Sequence, residues 1–261
     1  MFLSLLQTDI VWANPEANRK AAEQMMLSAK RSDVYILPEM FSTGFATQPE
    51  GIAEPENNAT LVWMKQMADH LDAAICGSVA VCRQSNANEQ SEYFNRCYFV
   101  KPGGEVSVYD KKHLFTYGGE NVHFVAGDNI CKVEWRGVTF NICICYDLRF
   151  PVWSRNVASS TYDVQIYVAN WPESRRFVWD TLLRARAIEN QCFVAAVNRV
   201  GDDPVCHYNG GSCLIDAYGK TVGECEDGKP GIVTVELDLD KLKKLREKFP
   251  VLKDQDAWQI K

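Results

Sequence analysis

Val138-Thr139-Phe140-Asn141-Ile142-Cys143-Ile144-Cys145-Tyr146-Asp147-Leu148-Arg149-Phe150-Pro151 begins as a strand and closes on a polar turn. Strand alternation puts Val138, Phe140, Ile142 and Ile144 on one face and Thr139, Asn141, Cys143 and Cys145 on the other, less apolar face. So apolar a run is predicted to lie inside a sheet. Its thiol, carboxylate and guanidinium then fall at the strand end, where α/β sheets bind their ligands.

Similar short β-branched runs recur at residues 3–8, 34–37, 74–81, 93–100, 106–110, 164–169 and 193–198, around the run at 138–143. Apolar residues spaced by about three to four predict helices over 16–32, 60–71 and 177–190, the last with Trp179, Leu182, Leu183 and Arg186 on one stripe. A basic helix is predicted over 238–249, stopped by Pro250, its lysines forming a solvated face. Strands alternating with helices predict an α/β protein, and at least eight strands are compatible with two sheets.

Composition narrows the function classes. At about 150 residues per domain, 261 residues fit one large domain or two small ones; no linker, repeat or low-complexity tract divides them, which favours a single domain over 1–261. With 46% hydrophobic residues a sizeable core is available, and disorder is excluded. The net charge of −6 gives no global attraction to nucleic acid. No apolar run approaches the ~18 residues of a membrane span, and the opening Met1-Phe2-Leu3-Ser4-Leu5-Leu6 reads as a buried first strand rather than a secretion signal. The 10 cysteines show no CxxC or Cys/His ligand spacing and mostly sit in apolar runs, so they read as reduced thiols of a cytoplasmic protein. Gly103-Gly104, Gly118-Gly119 and Gly210-Gly211 read as turns, and neither GxGxxG nor GxxxxGK[ST] occurs.

Two further polar residues sit just past a strand, as Cys145 does. Glu39 follows Val34-Tyr35-Ile36-Leu37-Pro38, and Lys111 closes Val106-Ser107-Val108-Tyr109-Asp110. Singly, each has an ordinary explanation: a buried thiol, an exposed turn glutamate, an edge lysine. No GxSxG elbow is present, and His113, His123 and His207 lack an evident orienting neighbour, His113 reading as a packed residue beside Lys111.

Together the segments resemble the nitrilase superfamily of carbon–nitrogen hydrolases. The matching residues are Leu37-Pro38-Glu39 with Gly44-Phe45, then Tyr109-Asp110-Lys111-Lys112-His113-Leu114-Phe115, Cys145 to Pro151, and Arg184-Ala185-Arg186-Ala187-Ile188-Glu189-Asn190. Ala169-Asn170-Trp171-Pro172 and Phe249-Pro250-Val251-Leu252 are similar to the ω-amidase branch, which hydrolyses the terminal amide of short ω-amido dicarboxylates such as α-ketoglutaramate. The resemblance runs from about residue 2 to 250. It implies a four-layer α-β-β-α sandwich that dimerises through helices. It also implies a Glu39–Lys111–Cys145 triad, with Glu120 matching a second glutamate at a shorter interval from Lys111 than in several branches. In that scheme Cys145 forms a thioester, Glu39 moves protons, and Lys111 with the Tyr146 N–H holds the oxyanion. Neither metal nor organic cofactor is required. The candidate pocket residues are Phe41, Tyr117, Asn170, Trp171 and Arg175, the last as partner of a substrate carboxylate; Arg149 serves either substrate or a structural ion pair. An N-carbamoyl amide hydrolase or a nitrilase would use the same triad, and a silent scaffold protein should have lost a member of it.

Overall fold

The structure is a computed structural model that describes residues 1–84 and 91–257. From the N-terminus, β1 (Phe2–Gln7), α1 (Pro15–Ser28), β2 (Val34–Ile36), β3 (Glu54–Pro55), α2 (Ala59–Leu71), β4 (Ala74–Gln84), β5 (Ser91–Val100) and β6 (Val106–Asp110) build a first sheet with two helices on its outer face. After α3 (Glu120–His123), β7 (Cys131–Trp135), β8 (Val138–Ile144), β9 (Val164–Ala169), α4 (Arg176–Asn190) and β10 (Phe193–Asn198) build most of a second sheet. A small hairpin, β11 (Val200–Asp202) with β12 (His207–Asn209), precedes β13 (Cys213–Ile215) and β14 (Thr221–Glu224), which extend the second sheet. The chain then crosses back: β15 (Gly231–Glu236) pairs antiparallel with β1, Phe2 opposite Glu236, before α5 (Leu239–Lys248).

Alternation explains the layering. On the first sheet Leu3, Leu5, Ala74, Cys76, Cys97 and Phe99 face the second sheet, where Phe99 meets Phe140 at 5.4 Å between ring centres. The opposite parity, Leu6, Tyr35, Ile75 and Val79, faces Ala22, Met26, Met64 and Met67 of α1 and α2. On the second sheet α4 buries Trp179, Leu183 and Ala187 against the strands. The order is therefore α-β-β-α, as expected. Among the described residues no helix is long and apolar enough to cross a membrane.

The strands and helices predicted from sequence are all present, with shifted ends. The first helix stops at Ser28 rather than Ser32 because Ser32 and Asp33 are taken by the sheet: Ser32 Oγ and the Asp33 N–H both donate to Phe2 O, and the Phe2 N–H donates to Asp33 Oδ2 at 2.8 Å. The strands missed by the sequence reading, β3, β7 and β11 to β15, are two to six residues long, and all but the fully buried β13 are partly exposed, so their period is weak.

Candidate active site

Three chain segments meet at one end of the space between the sheets. Glu39 stands three residues beyond β2, Lys111 directly follows β6, and Cys145 directly follows β8. Glu39, Lys111 and Glu120 are all 0% exposed. Charges so deeply buried are tolerable only when paired and fully hydrogen-bonded. They are: Lys111 Nζ donates to Glu39 Oε1 at 2.8 Å and to Glu120 Oε2 at 2.9 Å. Glu39 Oε2 accepts the Asn170 N–H at 2.8 Å, and Glu120 Oε2 accepts the Phe115 N–H at 2.6 Å.

The electrostatics follow from this packing. Burial works against the Lys111 ammonium, but Glu120, Glu39 and Cys145 more than offset it and raise its pKa, so it is a fixed cation. Burial, together with nearby Glu39, raises the pKa of Glu120 in spite of Lys111. The Cys145 thiol is pushed well up, first by burial and then by the Glu39 carboxylate, with Lys111 opposing. Cys145 therefore rests as a thiol.

Backbone geometry turns the sulfur toward this cluster. β8 ends at Ile144, and Cys145 has φ +43°, the left-handed region that L-residues seldom occupy. Strand parity therefore does not continue to Cys145, contrary to the alternation read from sequence. A short 3-10 turn over Cys145–Arg149 follows, and Asp147 reaches back to accept the Ile144 N–H at 2.9 Å. Asp147 also accepts from Tyr109 Oη at 2.7 Å and from the His113 N–H at 3.0 Å, and lies 2.8 Å from His113 Nδ1. This corrects the sequence reading of His113: it has an orienting carboxylate. It is nonetheless packed, stacked on Phe150 at 3.8 Å. His123 lies against Glu50 and His207 against Asp202, and the charged groups bearing on the Cys145 thiol are Glu39, Lys111 and Glu120.

Cys145 opens onto a cavity of about 610 Å³ that Tyr117, Tyr146, Asn170, Trp171 and Arg175 line together with Arg149. Phe41, expected there, is instead buried on the helix-facing side of the first sheet, 5.9 Å from the Trp63 ring. Gly77 leaves it that room: a Cβ there would stand 3.0 Å from Phe41 Cδ1 and 2.8 Å from Leu37 Cβ. Phe45 holds the aromatic position at the site, its ring centre 5.1 Å from Lys111 Nζ. Arg175 stacks over Phe115 at 5.2 Å and Arg149 over Trp171 at 5.1 Å. Among the described residues neither guanidinium has a carboxylate within ion-pair distance, so the structural ion pair considered for Arg149 is not formed. The double pairing of this stretch belongs to Arg176, with Asp180 and Asp227. Among the described residues no three His, Cys, Asp or Glu side chains are grouped to hold a metal ion.

One site residue escaped the sequence reading. Asn95 on β5 lies between the two carboxylates, donating to Glu39 Oε1 at 2.7 Å and to Glu120 Oε1 at 3.0 Å. The available signal was parity: Asn95 shares the inward face with Cys97 and Phe99, where an amide is out of place.

Comparison with known proteins gives the family. The family model described as carbon-nitrogen hydrolase matches residues 2–247. The chain is 44% identical to "Omega-amidase YafV" of Yersinia enterocolitica over 259 residues, covering 99% of this chain and 98% of that one. It is 36% identical to the "2-oxoglutaramate amidase" of Bacillus subtilis over 256 residues, covering 97% and 96%. A CN-hydrolase superfamily protein from Xanthomonas campestris, solved with an arsenic adduct in its active site, superposes with a TM-score of 0.94 at 39% identity, covering 100% of this chain and 99% of that one. With its fold, its buried Glu–Lys–Glu cluster and its strand-end cysteine, the chain belongs to the carbon–nitrogen hydrolase family, the nitrilase superfamily.

Proposed function

We propose that this protein is an ω-amidase, a cysteine-dependent hydrolase that cleaves the terminal amide of short ω-amido dicarboxylates such as α-ketoglutaramate. The observation that carries the reading is one cavity where both chemistries meet: Cys145 beside buried Glu39 and Lys111, and two arginines that have no carboxylate partner among the described residues. The names of the relatives similar to it, an omega-amidase and a 2-oxoglutaramate amidase, support the same substrate class. On this reading residues 1–261 form one carbon–nitrogen hydrolase domain, supported by the core shared between the sheets.

Glu39 takes the thiol proton as Cys145 attacks the amide carbonyl carbon. The developing oxyanion is met by the Lys111 ammonium and by the N–H of Tyr146, in the first turn of a helix that leaves such groups unpaired. Glu39 then gives its proton to the departing nitrogen. Ammonia leaves and a thioester remains on Cys145. Glu39 activates a water to hydrolyse it, releasing the dicarboxylate and regenerating the thiol. Arg175, with Arg149 beside it, holds the remote carboxylate, since a planar guanidinium binds a carboxylate through two parallel hydrogen bonds.

Two further readings accompany this one. The active form is a homodimer, supported by α4, whose Phe177 is 82% and Ile188 53% exposed in the single chain. The protein works in the cytoplasm, supported by ten cysteines that all remain unpaired.

The test is ammonia release from α-ketoglutaramate, an N-carbamoyl amino acid and a simple nitrile. Turnover should be fastest on the first, and Cys145→Ala should abolish it while circular dichroism stays unchanged. Preference for either of the other two substrates, or residual turnover by Cys145→Ala, would overturn the reading.

A further inference from the structure

Asn95 touches every charged member of the cluster. Its side-chain NH2 donates one hydrogen to Glu39 Oε1 at 2.7 Å and the other to Glu120 Oε1 at 3.0 Å, and its backbone carbonyl accepts the Lys111 N–H at 2.9 Å. The amide is held one way round. Ser78 Oγ donates to Asn95 Oδ1 at 2.9 Å and itself accepts the Met40 N–H at 2.8 Å, from the residue after Glu39. Asn95 and Ser78 are both fully buried, so water does not substitute for either bond. Neither residue lines the cavity.

We propose that Asn95, oriented by Ser78, is a positioning residue that holds the Glu39 and Glu120 carboxylates in register around Lys111 and favours the ionised Glu120, and so sets the pH above which the enzyme works. The physical reason is charge balance. Two carboxylates and one ammonium leave one excess negative charge among fully buried side chains, which disfavours the doubly ionised arrangement. A donor shared by both carboxylates stabilises the doubly ionised form. Were the amide reversed, its oxygen would face both carboxylates and favour the protonated form instead; the Ser78 hydroxyl opposes that reversal. The titratable groups facing the pair are Lys111 from the end of β6 and the Cys145 thiol from the turn after β8. Burial first, and then nearby Glu39, raises the pKa of Glu120, the direction expected of a carboxylate crowded by a second one.

This inference rests on the reading of Glu39 as the base, and two readouts separate their failures. Asn95→Ala and Ser78→Ala are compared with the unaltered protein for the pH dependence of kcat/KM on α-ketoglutaramate and of Cys145 alkylation by iodoacetamide, which needs no amide turnover. Loss of the shared donor should move the acidic limb of both profiles upward by about one pH unit in Asn95→Ala and by less in Ser78→Ala. KM should stay within about threefold, because Asn95 does not meet the substrate, while kcat falls by up to about tenfold on the acidic side of the limb and recovers at higher pH. If Asn95→Ala does not fold, the limb of Ser78→Ala decides. Limbs that coincide with the unaltered protein in both readouts overturn the proposal. A limb that moves in the alkylation profile of a protein that turns over no amide supports this role of Asn95 and overturns the proposed function.

Discussion

A guanidinium without a carboxylate partner inside a cavity has unused hydrogen-bonding capacity, and among the described residues Arg175 and Arg149 both carry it. Each guanidinium carbon stands over an aromatic ring, a contact that favours the planar cation at that place. Hydrogen bonds to a charged group contribute roughly 1.5–3 kcal/mol, so losing the Arg175 contacts should raise KM for an anionic ω-amide about ten- to a hundredfold. Arg175→Ala should show that loss with α-ketoglutaramate, and Arg175→Lys a smaller one, since an ammonium lacks the planar fork. With an uncharged short amide the change should be under about threefold. Steady-state kinetics on the two substrates checks this; equal losses on both would remove Arg175 from carboxylate binding.

Between elements, the joint that matters is Asp147. Its carboxylate gathers the Ile144 N–H at the end of β8, the Tyr109 hydroxyl on β6 and the His113 N–H just beyond Lys111. Tyr109 in turn accepts the Trp153 Nε1–H at 2.9 Å. One fully buried carboxylate thereby ties the nucleophile turn to the strand that delivers Lys111, and steadies a left-handed Cys145 that costs about 1–2 kcal/mol. Asp147→Ala leaves several buried donors unpaired and should destabilise the protein by roughly 2–5 kcal/mol in urea unfolding. Asp147→Asn keeps one acceptor oxygen and should lose less. In both variants kcat should fall more than KM rises, because the relative placement of Cys145 and Lys111 is what loosens. Stability within about 0.5 kcal/mol for Asp147→Ala would refute this account of the joint.

For the whole molecule, the site exists because two sheets share one core. The first sheet supplies Glu39, Asn95 and Lys111, and the second supplies Cys145, Asn170 and Trp171. The layer between them, with Phe99 on Phe140, sets their separation. Among the described residues Phe177 is left largely and Ile188 about half exposed on α4, and exposed side chains of that size on one helix favour a second copy with matching faces. Sedimentation velocity at micromolar concentration should give a species of twice the chain mass. A single species at 29.5 kDa would contradict the dimer.

From the sequence by itself came the apolar periods that set the eight principal strands and four principal helices, and the ordered motifs that singled out Glu39, Lys111, Glu120 and Cys145. These are local properties: a two-residue or 3.6-residue period fixes which face is buried wherever the segment goes. Only the tertiary structure decided which strand ends converge, and several assignments turned on that. Phe41, two residues from Glu39, went to the helix side of the sheet because Gly77 leaves room for its ring, and Phe45 took the position over Lys111. His113 acquired its carboxylate from a residue 34 positions away, and Asn95 became a bridge between glutamates 56 and 25 positions away. Cys145 turned to the cluster through a backbone reversal that strand parity does not encode. Burial is what made these contacts decisive: a buried charge or amide must be hydrogen-bonded, and its protein partner is set by packing rather than by proximity along the chain.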